Sequence, residues 1–305
     1  MIQNLLYDIV IYHRNCSDGS CGYWVARKYL QDNNQLHESI AMHAGEILTH
    51  SMSTFEKKRI IYIDVCPNFE FLQELSTFAK DIIILDHHIS SYTTIDALKK
   101  STIKNVQFEF NVQLSGCQLA WNHFYQDAIR PWFLEYISDR DLWKFELGYS
   151  KEINAALHYK NLLNVDSMDM LISYSNEEIQ TLMELGQVII NISNKSINYA
   201  LRDCVEGTFQ VNNHFYNVWF GTIERKDRSE FGNQMTQKQM SNGLLPDFAV
   251  VYSYQPKLAL WYISLRGSDS CPDLSSIAEY FGGGGHKKAA GFEYKNPFDS
   301  IFTIS

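Results

Sequence analysis

The sequence predicts an α/β protein, a parallel-sheet domain with flanking helices joined by a long helix to a smaller α/β domain. Three observations predict it. Aliphatic runs alternate with segments of helical period through the first half, one helical period persists from about Asn176 to Cys204, and strand-like runs ending in a glycine tract follow. A chain of 305 residues has room for two domains, and 45% hydrophobic against 20% charged residues excludes disorder and fibrous repeats. The expected division is 1–170 for the first domain, 171–205 for the connecting helix and 206–305 for the second domain.

In chain order, "YDIVIYH", "RIIYIDV" and "DIIIL" are short and β-branched, as strands buried on both faces require. Between them "GYWVARKYL" and "FEFLQELSTFA" carry apolar residues at helical spacing. "SGCQLAWNHFY" reads as a helix capped by Ser115, and "PWFLEYISDRDLW" as a helix running into a polar turn. In the long helix, Ile179, Leu182, Met183, Ile189, Ile190, Ile197, Ala200 and Leu201 keep the period, and Gly186 marks a bend or a close packing point. "FYNVWFGTI", "DFAVVYSY" and "LALWYISLRG" are the strands of the second domain.

No apolar run reaches the length of a membrane span, and the N-terminus has no basic region followed by a cleavage site, so a soluble, cytoplasmic protein is expected. The six cysteines form no CxxC pair, which argues against a zinc ribbon or a secreted disulfide framework; Cys21, Cys66 and Cys117 read as small buried hydrophobes. A net charge of −9 fits poorly with tracking along nucleic acid. A phosphate substrate remains compatible if bound divalent cations reverse the sign locally.

Four segments place ionisable groups just after an apolar run: His13, Cys16 and Asp18; Asp64; Asp86, His87 and His88; Asp139 and Asp141. Open parallel sheets bind ligands at the carboxyl ends of their strands, so neighbouring strands would bring these groups into one crevice. Carboxylates and imidazoles suit a divalent ion, manganese first and magnesium, cobalt, iron or zinc as alternatives. A cluster this rich in carboxylates suits two ions.

The ordered set His13-Cys16-Asp18-Gly19, Asp64, Asp86-His87-His88, Asp139 and "GGGGHKKAAGF", with "SGCQLAW", "SDRDLW", "SLRG" and "DLSSIAEYFGGGGH", resembles the DHH phosphoesterase superfamily with its DHHA1 C-terminal domain. The resemblance implies hydrolysis of a phosphoester by water activated between two metal ions, in a cleft between the domains. One ion would be held by His13, Asp64 and Cys16, the second by Asp18, Asp64, His87 and Asp139. Asp86 would orient a histidine ligand, and His88 would lie near the scissile phosphate, to protonate the leaving oxygen or bind the phosphoryl group. Cys16 departs from the aspartate that many members carry; as a thiolate ligand it would favour a softer ion. Asp141 has no counterpart and reads as a turn or capping carboxylate.

Within the resemblance, Gly283, Gly284, Gly285 and His286, with Arg266 of "SLRG", bind substrate phosphate. The glycines suit an anion-binding nest ahead of a helix begun by Ala289 and Ala290. Lys287 and Lys288 read as a solvated pair, and Arg225, Lys226 and Arg228 as loop residues or phosphate contacts. The small second domain and the acidic charge favour a short oligonucleotide, a dinucleotide or another small phosphate as partner, with a homodimer compatible. Pyrophosphate or polyphosphate hydrolysis, and an inactive nucleotide-binding module, are the alternatives.

Overall fold

A computed structural model describes residues 6–43, 45–126, 128–296 and 301–304. The chain divides into two compact units, Met1–Ile190 and Asn191–Ser305. This division falls inside the long helix rather than at either of its ends.

The first unit is built on strands β1 (Ile9–His13), β2 (Glu38–Met42), β3 (Arg59–Ile63), β4 (Asp81–Asp86) and β5 (Val106–Phe110), all parallel in the order β2-β1-β3-β4-β5. Successive side chains of a strand point to opposite faces, and both faces here are covered. Val10, Ile61, Ile63 and Leu85 enter one apolar cluster, while Ile9, Ile11, Ile60, Tyr62, Ile82 and Ile84 enter the other. That double burial is why the inner strands read as unbroken aliphatic runs. The first cluster is closed by α1 (Ser17–Asp32) and, after α2 (Phe69–Phe78) and α3 (Tyr92–Lys100), by α4 (Gly116–Tyr125), α5 (Trp132–Asp141), α6 (Ser150–Tyr159) and α7 (Val165–Leu171). Phe71, Leu72 and Leu75 of α2 lie in the second cluster. Chain direction across the sheet switches between β1 and β3, which are neighbours although β2 intervenes in sequence. A crevice opens at such a switch point.

The long helix is α8 (Asn176–Asp203). Leu182 belongs to the core of the first unit and Ile197 to that of the second. Gly186 is the close packing point: a Cβ there would collide with the Glu152 carbonyl of α6.

The second unit contains β6 (Val205–Val211), β7 (His214–Gly221), α9 (Arg228–Thr236), β8 (Phe248–Gln255), β9 (Leu260–Arg266), α10 (Leu274–Tyr280), β10 (Gly284–His286), β11 (Ala289–Tyr294) and β12 (Phe302–Ile304). The sheet order is β10-β11-β9-β8-β7-β6-β12, antiparallel except for the β7–β8 pair. Here the structure corrects one expectation. Among the described residues no helix follows the glycine tract; Ala289 and Ala290 begin β11, which turns back along β10. Gly285 takes φ +142°, and a Cβ on it would lie 2.5 Å from the Ala289 carbonyl oxygen, so the glycines let the hairpin strands close up.

Candidate metal centre

The last residues of β1 and β4, and those that follow β1, β3 and β4, carry their ionisable groups into one cluster at the carboxyl end of the sheet. Asp64 follows β3 in the left-handed region, φ +61°, with its N–H donating to Leu85 O at 2.9 Å. This turn points its carboxylate between two imidazoles. Oδ2 lies 3.2 Å from His13 Nδ1 and Oδ1 lies 3.1 Å from His87 Nε2. Gly19 makes room for the first contact, since a Cβ there would sit 2.5 Å from His13 O.

Asp18, in the first turn of α1, is buried against the start of α4. It accepts N–H bonds from Gly116 at 2.5 Å and Cys117 at 2.9 Å, and Oδ2 lies 3.7 Å from His87 Nε2. A helix N-terminus favours the carboxylate. Ser115 and Gln118 form the capping box that starts this helix.

Asp86 orients the histidine pair. Its Oδ1 accepts the His87 N–H at 2.8 Å and contacts His88 Nδ1 at 2.7 Å, while Oδ2 accepts from Ser91 Oγ.

The structure brings Asp141, and not Asp139, to the cluster. Both lie in the last turn of helix α5, not after a strand. Residues two apart on a helix project roughly 200° apart, so both cannot face the cluster. Asp139 turns away and accepts the N–H groups of Glu146 at 2.9 Å and Leu147 at 3.3 Å, closing the turn after α5. Asp141 Oδ2 instead lies 3.4 Å from His87 Nε2. Among the described residues, the donor sets that could hold an ion are His13, Cys16 and Asp64; Asp18, His87 and Asp141; and Asp64, Asp86, His87 and His88.

The electrostatics are those of crowded negative charge. Burial, then Asp64, pushes the Asp18 carboxyl above its ordinary value, and burial, Asp18 and Asp64 push Asp141 well above it. Burial opposes charge on Asp64 too, but hydrogen bonds with His13 and His87 outweigh it and hold this carboxyl far below the usual range. Against burial, Asp64, Asp18 and Asp141 push His87 up to about 10. Asp86, with Asp64, likewise pushes His88 up to about 9. The Cys16 thiol is driven well above its ordinary value by burial and then by Asp64, Asp141 and Asp18.

Two imidazoles and four carboxyl groups, those of Asp18, Asp64, Asp86 and Asp141, thus share one cluster. The mutual repulsion that raises Asp18 and Asp141 is what a divalent cation would relieve, and the mixed oxygen and nitrogen donor set fits one. Apart from Asp141, sequence reasoning missed Ser91 and the Gly116 and Cys117 N–H groups; the capping pattern "SGCQ" was the available signal for the latter pair.

In the second unit, directly paired residues share a face of the sheet. His286 pairs with Ala289, and Ala289 with Arg266, so His286 and Arg266 flank one small residue on one face, roughly 10 Å apart across two strand spacings. Arg266 Nη2 donates to Ser229 Oγ at 3.0 Å, and Arg228 donates to Ser264 Oγ at 3.2 Å and Ser253 Oγ at 3.0 Å. Burial and Arg228 depress Arg266 to about 10. Among the described contacts neither guanidinium meets a carboxylate.

No family model matches the chain. An uncharacterized protein of Acanthamoeba polyphaga mimivirus is 24% identical over 312 residues, covering 96% of this chain and 70% of its own length. Solved structures similar to the chain include RecJ of Thermus thermophilus in complex with Mn2+, with TM-score 0.49 and 13% identity over 94% of this chain and 49% of that one. A pGpG-specific phosphodiesterase of Vibrio cholerae has TM-score 0.46 and 12% identity, covering 94% and 93%. An exopolyphosphatase-related protein of Bacteroides fragilis has TM-score 0.45 and 14% identity, covering 97% and 88%. No helix among the described residues is long and apolar enough to cross a membrane.

Proposed function

We propose that the protein is a divalent-metal-dependent phosphodiesterase that hydrolyses short oligonucleotides or dinucleotides to mononucleotides. The carrying observation is Asp64, whose two carboxylate oxygens face different imidazoles, His13 and His87, at 3.2 and 3.1 Å. A carboxylate so placed suits two ions. One would be held by His13, Asp64 and Cys16, the other by Asp18, Asp64, His87 and Asp141, with manganese the first choice. Bound there, divalent ions would acidify a water molecule and neutralise charge on the phosphoryl group.

The remaining work falls to the chain. Asp64 and Asp18 hold His87 in place, while Asp86, itself fixed by Ser91, holds the His88 ring by Nδ1. A proton passed from His88 to a leaving oxygen would come from Nε2. Asp139 closes the turn that follows α5 and Asp141. In the second unit Arg266, His286 and Arg228, with the backbone of Gly283, Gly284 and Gly285, would bind a substrate phosphate, because guanidinium groups lacking a carboxylate partner are suited to an anion.

Phosphoanhydride hydrolysis is the second reading, favoured by the same arginine pair, which would hold pyrophosphate as readily. The test is turnover with Mn2+ on a labelled RNA dinucleotide, a cyclic dinucleotide, a single strand of about twenty nucleotides and pyrophosphate. Asp64→Asn is the control. Mononucleotide release that is fastest from the dinucleotide and lost in the control supports the proposal; faster pyrophosphate cleavage replaces it with the second reading.

A further inference from the structure

We propose that the cavity beside Cys16 is a nucleoside pocket, which takes the base and sugar of a nucleotide whose phosphate lies at the metal centre. This rests on the phosphodiesterase reading and deepens it, since pyrophosphate and polyphosphate carry nothing to fill such a pocket.

The cavity lies wholly in the first unit and measures about 650 Å³, within the roughly 300–1,000 Å³ typical of small-molecule sites. One wall is a single face of α1, because Cys16, Ser20, Tyr23 and Arg27 recur at helical spacing. The sheet contributes Tyr12 and Ala41, and the connection between α6 and α7 contributes Asn161 and Asn164. Cys16 belongs both to this wall and to the donor set with His13 and Asp64. An occupant of the cavity therefore reaches the metal centre at that end.

The chemistry of the wall selects the occupant. Its two arginines are already compensated. Arg14 donates to Ala41 O and pairs with Glu46 at 3.7 Å, and Arg27 pairs with Asp166 at 3.1 Å and Asp169 at 2.6 Å. A free phosphate would compete with carboxylates already in place. Apart from the Arg27–Asp166 pair and His158, the wall offers amides and hydroxyls of asparagine and serine, and the rings of Tyr12 and Tyr23, stacked with centroids 4.5 Å apart and planes 9° apart. A planar, uncharged group with several donors and acceptors matches this lining, and a nucleobase is such a group.

The probes are adenosine, guanosine, cytidine and uridine, which carry no phosphate, and the protein is the full chain in chelator without metal. Ligand-observed NMR should detect saturation transfer to the base protons of at least one nucleoside. Ser20→Trp, which fills the cavity, should abolish it, and Asn161→Gly, which the left-handed backbone at this position (φ +54°) accepts, should weaken binding about tenfold, the loss of one hydrogen bond. The exposed Asn161 keeps the test decisive if Ser20→Trp fails to fold. Failure of all four nucleosides to bind at millimolar concentration overturns the pocket, as does binding unchanged in both variants. The metal centre is tested separately, by Mn2+-dependent cleavage of bis-p-nitrophenyl phosphate, which carries no base. Turnover there without nucleoside binding removes the pocket and leaves the phosphodiesterase.

Discussion

Replacing Asp139 and Asp141 by asparagine, one at a time, should move the metal-free stability of the protein in opposite directions. Asp139 is 7% exposed and accepts two backbone N–H groups, those of Glu146 and Leu147. Asparagine retains one acceptor and turns an NH2 toward the other donor, so one charge-assisted bond is lost and a buried donor is left unpaired. The cost is about 1.5–3 kcal/mol. For a cooperative unit of 150–250 residues that lowers Tm by roughly 3–12 °C.

Asp141 behaves in the opposite way. Its carboxyl is raised by burial and by Asp18 and Asp64, so its ionised form destabilises the metal-free fold above the ordinary carboxyl range. Asp141→Asn removes that charge and should raise Tm at pH 7, with the gain fading as pH falls toward 4. Thermal melts in EDTA measure both effects. Repeating them with Mn2+ should show that Asp139→Asn keeps the metal-induced rise in Tm while Asp141→Asn loses most of it, as a ligand loss of tenfold or more would require. If Asp139→Asn abolishes the metal response and Asp141→Asn preserves it, the assignment of Asp141 to the centre is wrong.

Metal binding should tighten with pH, because His87, raised to about 10, must lose its proton before it can ligate. The apparent Kd should fall about tenfold per pH unit between 7 and 9, with proton release visible as a buffer-dependent heat in calorimetry; a flat profile would contradict His87 as ligand. Gly116→Ala would place a Cβ 2.5 Å from Asp64 Cβ and 3.0 Å from Asp18 Oδ2, so a loss of about 1–3 kcal/mol and weaker Mn2+ binding are expected by chemical denaturation and titration. Ser91→Ala removes the donor to Asp86 Oδ2 and should lower kcat with little change in KM, shifting the pH profile through His88; an unchanged profile would make Ser91 purely structural.

The inner strands were legible because they are buried on both faces, which leaves a plain aliphatic signature in β1, β3 and β4. The two edge strands were not. "ESIAM" and "VQFEF" are half exposed, so their polar positions break the run and hide them. In the centre, groups that follow a strand were readable, since the sheet itself delivers His13, Asp64 and His87. Which of Asp139 and Asp141 meets the cluster was not legible, because both precede the same turn and only the rotation of α5 decides which of them faces inward. The glycine tract misled for a related reason: glycine and alanine permit close approach in either a helix cap or a hairpin, and pairing between β10 and β11 is a contact that local composition does not encode.

The left-handed backbone of Asp64 restricts what can replace it. Few side chains tolerate φ +61°; asparagine, aspartate and glycine are the common exceptions. Mutational drift away from aspartate at this position would thus run through asparagine or glycine, which keep the turn while discarding the charge. A homologue with either residue after its third strand would be expected to fold as this protein does without assembling the centre, and that single position offers a way to sort relatives that can assemble it from those that cannot.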